Sequence, residues 1–371
     1  MRRLFIAASA LALGCDSPRP GGRVTEREAP PDTTPAAPQV AWTVRPIVNA
    51  PRYFVLNGWV TNDTLWGLAG SNPVDIHATS GTGRPWGVRA SGATRSPDGN
   101  ALAWADTAGI WILRRAGRPR RVLRFSSLPQ RPVGDPTFDV RWAPNGRRLL
   151  TAWADEGTVA YALVDTASGG LEPLTLPRLP GYGMPGISLW LDDRRMLFTV
   201  RATSGRDGTT GYRESGWRGD IAVHDLGTHA FERVTSVPDG VFLEPLAAWG
   251  DTIVAARRVA GDTLATFPLF DSRTWSETAS DLPRGTGLAA SDDGAYVAVF
   301  RSDDILSQVL IRSRRPGTPS AAPVLIPGRV TGAAWSPNGH ALAVSTMAEE
   351  RIEGTPGDLR AVYRLSVIDA P

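Results

Sequence analysis

One phrase recurs along this chain and limits its fold more than any other feature. A short apolar stretch, often ending in Trp, meets a tight turn and restarts on an apolar residue. The clear copies are RSPDGNALAW (95–104), WAPNGRRLLTAW (142–153), ASDDGAYVAVF (290–300) and WSPNGHALAV (335–344). Weaker copies are WVTNDTLWGL (59–68), WLDDRRMLFTV (190–200) and WGDTIVAA (249–256). Aligned on the first apolar residue after the turn, the anchors are Leu65, Leu102, Leu149, Met196, Ile253, Val297 and Leu342. Their spacings of 37, 47, 47, 57, 44 and 45 average near 46. A strand-only repeat of about 40–50 residues is the signature of propeller blades.

The turn has a physical basis. In Ser96-Pro97-Asp98-Gly99, proline presets φ at the second position and Asp suits the third. Glycine then takes a left-handed conformation, giving a type I turn with a bulge. Ala143-Pro144-Asn145-Gly146 and Ser336-Pro337-Asn338-Gly339 repeat that chemistry. Two more candidate strands follow most copies: GIWILRR (109–115) and RRVLRF (120–125), TVAYALVD (158–165) and LEPLTL (171–176), DIAVHDL (220–226) and FERVTSV (231–237). Each unit therefore reads as four strands, with the Pro-Asp-Gly turn joining the first to the second. The expected fold is all-β, a propeller of seven four-stranded blades, with six or eight as alternatives. Copy seven carries a third strand, VYRLSVID (362–369), and no fourth. The strand-like segment VAWTVRPIV (40–48) is expected to supply it and close the ring.

The phrase W-S-P-D/N-G-x-x-L-A followed by D-I-x-V-x-D resembles the TolB-type (WD40-like) propeller repeat of bacterial periplasmic proteins. The resemblance covers nearly all of residues 40–371. Copies one, four and five depart from it by losing the Pro or the Gly.

The N-terminus carries a different signal. In MRRLFIAASALALGC, Arg2 and Arg3 precede an apolar run from Leu4 to Leu13. The run is shorter than the about 20 residues needed to span a bilayer. It resembles a bacterial lipoprotein signal ending on a small residue and Cys, with Ala12 where Leu is commoner. The resemblance implies cleavage before Cys15 and diacylglycerol on its sulfur. Cys15 is the single cysteine, so no internal disulfide can form. Residues 16–39 are polar and Pro-rich and read as a disordered tether. The expected organisation is a signal over 1–15, a tether over 16–39 and a propeller over 40–371. The location expected is extracytoplasmic, on the periplasmic side or the cell surface of a bacterial membrane.

All 40 basic residues are Arg, the formal net charge is +3 and the pI is 9.4. No basic stripe interleaved with aromatics accompanies them, so nucleic acid is not the expected partner. No G-x-S-x-G elbow is present, which argues against a serine hydrolase. The four histidines, His77, His224, His229 and His340, form no close pair at ligand spacing, and no metal or cofactor is expected. Asp192-Asp193, Asp292-Asp293 and Asp303-Asp304 read as turn chemistry. Arg218-Gly219-Asp220 spells a recognition tripeptide, but Asp220 matches the repeat residue that opens a third strand.

Loop lengths are more informative. The connections at 201–219 and 346–361, and those at 126–138 and 176–187, are long and should open on one face. They carry Arg131, Tyr182, Arg206, Tyr212, Arg213 and Trp217, residue types that serve as contact anchors on exposed loops. The leading functional expectation is a non-enzymatic, lipid-anchored monomer that binds a protein or cell-envelope partner on this face. The alternatives are a lactonase- or lyase-like enzyme with a central-channel site, and an extracytoplasmic sensor module.

Overall fold

The computed structural model describes residues 42–51, 53–127, 138–155, 158–177, 179–182, 185–202, 218–314, 322–351 and 359–370. Their regular structure is β-strand, apart from one 3-10 turn at Phe125–Ser127. Five sheets have four strands. An eight-stranded sheet consists of two such units joined by a single parallel pairing of Gly219 with Phe242. Divided there, the described residues make seven four-stranded units, called blades 1 to 7 here. They span 54–85, 94–124, 138–174, 186–233, 241–278, 287–327 and 329–369. Blade 7 takes its outer strand from Thr43–Pro46, antiparallel to Leu359–Asp369, with Thr43 opposite Asp369 and Pro46 opposite Ser366. The N-terminal segment thus closes the ring as the repeat predicts.

The blades meet in seven apolar clusters, each shared by two neighbours. The last joins Ala343, Leu365 and Val367 of blade 7 to Phe54, Leu56, Leu65 and Ile76 of blade 1. All seven repeat anchors are completely buried. Successive residues of a second strand face opposite neighbours. Leu149 packs toward blade 2 and Leu150 toward blade 4, and Val297 toward blade 5 and Ala298 toward blade 7. Both faces of each sheet are covered, so these strands read as continuous apolar runs rather than alternating ones.

The first strands gather around the axis, and their tryptophans hold one blade to the one before it. The indole N–H of Trp59 donates to the Ala334 carbonyl, that of Trp142 to Thr94, and that of Trp335 to Ala289. The bond from Trp59 crosses the closure between blades 1 and 7. Each satisfies a carbonyl on an innermost edge strand while the ring fills the interface.

The turns behave as their residues require. Gly99, Gly146, Gly294 and Gly339 have φ of 72°, 69°, 67° and 71°. In the first, the Gly99 N–H bonds the Ser96 carbonyl, and the Ser96 hydroxyl accepts from the Ala101 N–H. One long connection differs from expectation. Residues 346–351 and 359–361 lie in strands, because Ala341–Arg351 and Leu359–Asp369 pair through Arg351 and Leu359. Cross-strand ion pairs from Arg360 and Arg364 to Glu350 support this ribbon. Its polar composition imitates a loop, but main-chain pairing is indifferent to side-chain polarity.

Candidate binding face

Connections between second and third strands share one face with those that lead from one blade to the next. Main-chain bonds join the two kinds: Gly70 N–H to Tyr53, Ala260 to Gly240, and Gly328 to Ile305. The short first turns lie on the opposite face. There, Arg115 N–H bonds Asn100 and Thr166 N–H bonds Arg147.

Tyr182 stands on the first of these faces, in the connection entering blade 4. Its backbone forms an isolated bridge with Ala202 at the end of the second strand. Its hydroxyl bonds Asp220, the second residue of the third strand Gly219–Asp225, and accepts from Arg233 Nη1. Asp220 is completely buried. It also accepts from Arg218 Nε at 3.2 Å, the Thr235 hydroxyl at 3.2 Å and the Val237 N–H at 2.9 Å. The guanidinium carbons of Arg218 and Arg233 lie 5.7 and 5.2 Å from the Tyr182 ring centroid. Burial, and then the Asp220 carboxylate, push the Tyr182 phenol above its ordinary pKa. Tyr182 is therefore a proton donor rather than a base.

Of the expected contact residues, Tyr182 alone falls within the described residues. Arg131, Arg206, Tyr212, Arg213, Trp217 and the acylation candidate Cys15 lie outside them. Sequence reasoning missed the partners of Tyr182. It assigned Asp220 to the repeat, weighed Arg218 only within the Arg218-Gly219-Asp220 tripeptide and passed over Arg233; only the fold brings both arginines to one tyrosine.

It also missed an apolar sector. Among the described residues seven large apolar side chains are exposed: Val44, Val48, Tyr53, Val259, Ile305, Leu306 and Leu325. Four of them stand on the long-connection face. Tyr53 leads into blade 1, Val259 ends the second strand of blade 5, and Ile305 and Leu306 tip blade 6. Ile305 is 82% exposed. Tyr53 packs edge-on against Tyr363 of the blade 7 ribbon. Asp303 and Asp304 flank the Ile305 tip.

The acidic doublets do turn work, as their positions suggested. Asp192 accepts from the N–H groups of Arg194 and Arg195, and Asp303 from those of Ile305 and Leu306. Asp293 accepts from the Ser291 hydroxyl and the Ala295 N–H. Among the described residues, no three of His, Cys, Asp or Glu gather at a place that could hold a metal ion. The carboxylates on described first strands are Asp139, paired with Arg141 at 3.2 Å, and Glu244.

No protein-family model matches the chain, and no curated protein matches it. Solved propellers do. An oligogalacturonate lyase in complex with manganese is 12% identical, with a TM-score of 0.58, over 91% of this chain and 99% of that one. The β-propeller domain of Cps50 from Myceliophteria thermophila is 13% identical, with a TM-score of 0.54, over 89% of this chain and 100% of that one. TolB from Acinetobacter baumannii is 19% identical over 75% of this chain and 62% of that one, at a TM-score of 0.43, too low to carry an argument. At these identities the likeness establishes the fold alone: the chain is a β-propeller.

Proposed function

We propose that this protein is a lipid-anchored, extracytoplasmic binding scaffold that acts as a monomer. Its long-connection face takes a partner protein or a cell-envelope component. The reading rests on the placement of four of the seven exposed large apolar side chains, Tyr53, Val259, Ile305 and Leu306, on that face. Exposed apolar surface is retained where a partner covers it. The route of the chain agrees. Thr43 pairs with the last residue of a third strand and so lies at the short-turn face. A chain held at Cys15 thus enters the propeller from the side opposite its binding surface. A flexible tether over 16–39 has an r.m.s. span of about 25–30 Å, enough to lift the propeller clear of a bilayer headgroup layer.

A photoreactive amino acid at Ile305 or Tyr53, and at Asn100 on the opposite face, tests this in intact cells. Discrete adducts from 305 and 53, with none from 100, are expected. Equal labelling from both faces, or none from 305 and 53, overturns the reading.

A lyase is the second reading, favoured by the pairing of a proton-donating Tyr182 with two arginines and by the fold shared with oligogalacturonate lyase. That neighbour holds manganese. Among the described residues of this chain no three of His, Cys, Asp or Glu gather to hold such an ion. Appearance of unsaturated, ultraviolet-absorbing ends on acidic oligosaccharides would favour the lyase over the scaffold.

A further inference from the structure

We propose that Arg218 and Arg233 form a subsite for a single anionic group, a carboxylate or a phosphate, beside Tyr182. It rests on the binding reading above and narrows what that face holds.

The charges do not balance within the cluster. The Asp220 carboxylate has about four lone-pair sites. Tyr182, Arg218, Thr235 and the Val237 N–H supply four donors. Arg233 Nη1 stands farther off, at 3.6 Å from Oδ2, and donates to Tyr182 instead. Two guanidiniums therefore share one satisfied carboxylate, leaving a net charge of +1. Both are partly withdrawn from water, with side chains 23% and 35% exposed. An unmatched and partly desolvated cation is costly, and an anion relieves that cost. Packing against Tyr182 alone would be met by an uncharged side chain.

Donors remain for such an anion. Arg218 uses Nε on Asp220 and Nη2 on Asp220 and Ser236. Its Nη1, and the Nε and Nη2 of Arg233, have no partner among the described residues. The Ser236 hydroxyl accepts at 3.3 Å from Arg218 and keeps its own proton to give. The arrangement is also held in advance. Both guanidiniums lie over one ring, and that ring is fixed by its hydroxyl and by the bridge to Ala202. Planar guanidinium forks suit the paired oxygens of carboxylate and phosphate.

Calorimetric titration of inorganic phosphate and of citrate, separately and at low ionic strength, tests the subsite in the full-length protein. At least one anion should bind saturably at one site. Binding of phosphate alone points to a phosphorylated ligand, and of citrate alone to a carboxylate. Arg233→Gln should weaken binding about tenfold or more. Arg218→Lys keeps the charge beside Asp220 but loses the fork, and should also weaken it. Arg147→Gln, on the opposite face, should leave it unchanged. Melting curves establish that each variant is folded. The subsite is overturned if neither anion saturates. It is equally overturned if folded Arg233→Gln binds as the parent does, or if Arg147→Gln loses as much. Should the subsite fail while Ile305 still crosslinks, the binding face stands; should Ile305 fail while the anion binds, only the partner-protein reading falls.

Discussion

His224 lies in the third strand of blade 4 and is 1% exposed. It packs against Phe231 at 6.3 Å, and neither ring nitrogen has a side-chain hydrogen-bond partner among the described residues. Burial, and secondarily His229, lower its pKa from the ordinary 6.5. The unfolded chain therefore binds this proton more readily than the folded one. Stability should be lost as pH falls below about 6.5 and should stop falling once the folded imidazole itself titrates. His224→Leu removes the proton and keeps the apolar contact. Its urea midpoint should change less between pH 7 and pH 5 than that of the parent, and an equal change would refute the assignment. The sequence left His224 without a partner at ligand spacing but could not say that it is dry, because Phe231 beside it belongs to a core shared with blade 3.

Turns and strands carry the next level of control. Gly99 and Gly146 have the same role in the repeat and nearly the same φ. A Cβ at Gly99 would lie 3.1 Å from Val60 of blade 1, whereas one at Gly146 meets only Pro97, at 3.8 Å. Both alanine variants should lose about 1–2 kcal/mol to the left-handed backbone. Gly99→Ala should lose more, as chemical denaturation would register; equal losses would mean that Val60 yields freely. The sequence made the glycines legible, since only the turn conformation is needed to explain them. It could not rank them, because the difference comes from another blade. The blade 7 ribbon shows the converse limit. Thr346–Arg351 is polar and precedes a Gly and Pro pair, so its composition spoke for a loop. Its pairing with Leu359–Arg364 was decided by register with the rest of the sheet.

For the whole molecule, closure is the decisive event. A chain starting at Ile47 loses the strand over Ser366–Asp369 and leaves an open sheet edge. It should melt earlier than the parent and associate on size-exclusion chromatography; a monomer of parental stability would show that closure rests on the Trp59 bond and the blade 1 contacts alone. Attachment is a separate matter. Cys15→Ser should move the protein from the membrane to the soluble fraction, and retention in the membrane would refute acylation. What the sequence determined by itself is the repeat: its period, its turns, its buried anchors and the strand that closes the ring. All of these follow from local backbone preference and apolar periodicity, which act within one unit. The tertiary structure alone decided the face. It set Tyr53, Val259, Ile305 and Leu306, from three blades, on one face, and brought Arg218 and Arg233 to Tyr182 around a buried Asp220. Such groupings depend on the angle between successive blades and on which end of each strand meets solvent, and neither is written in any one stretch of chain.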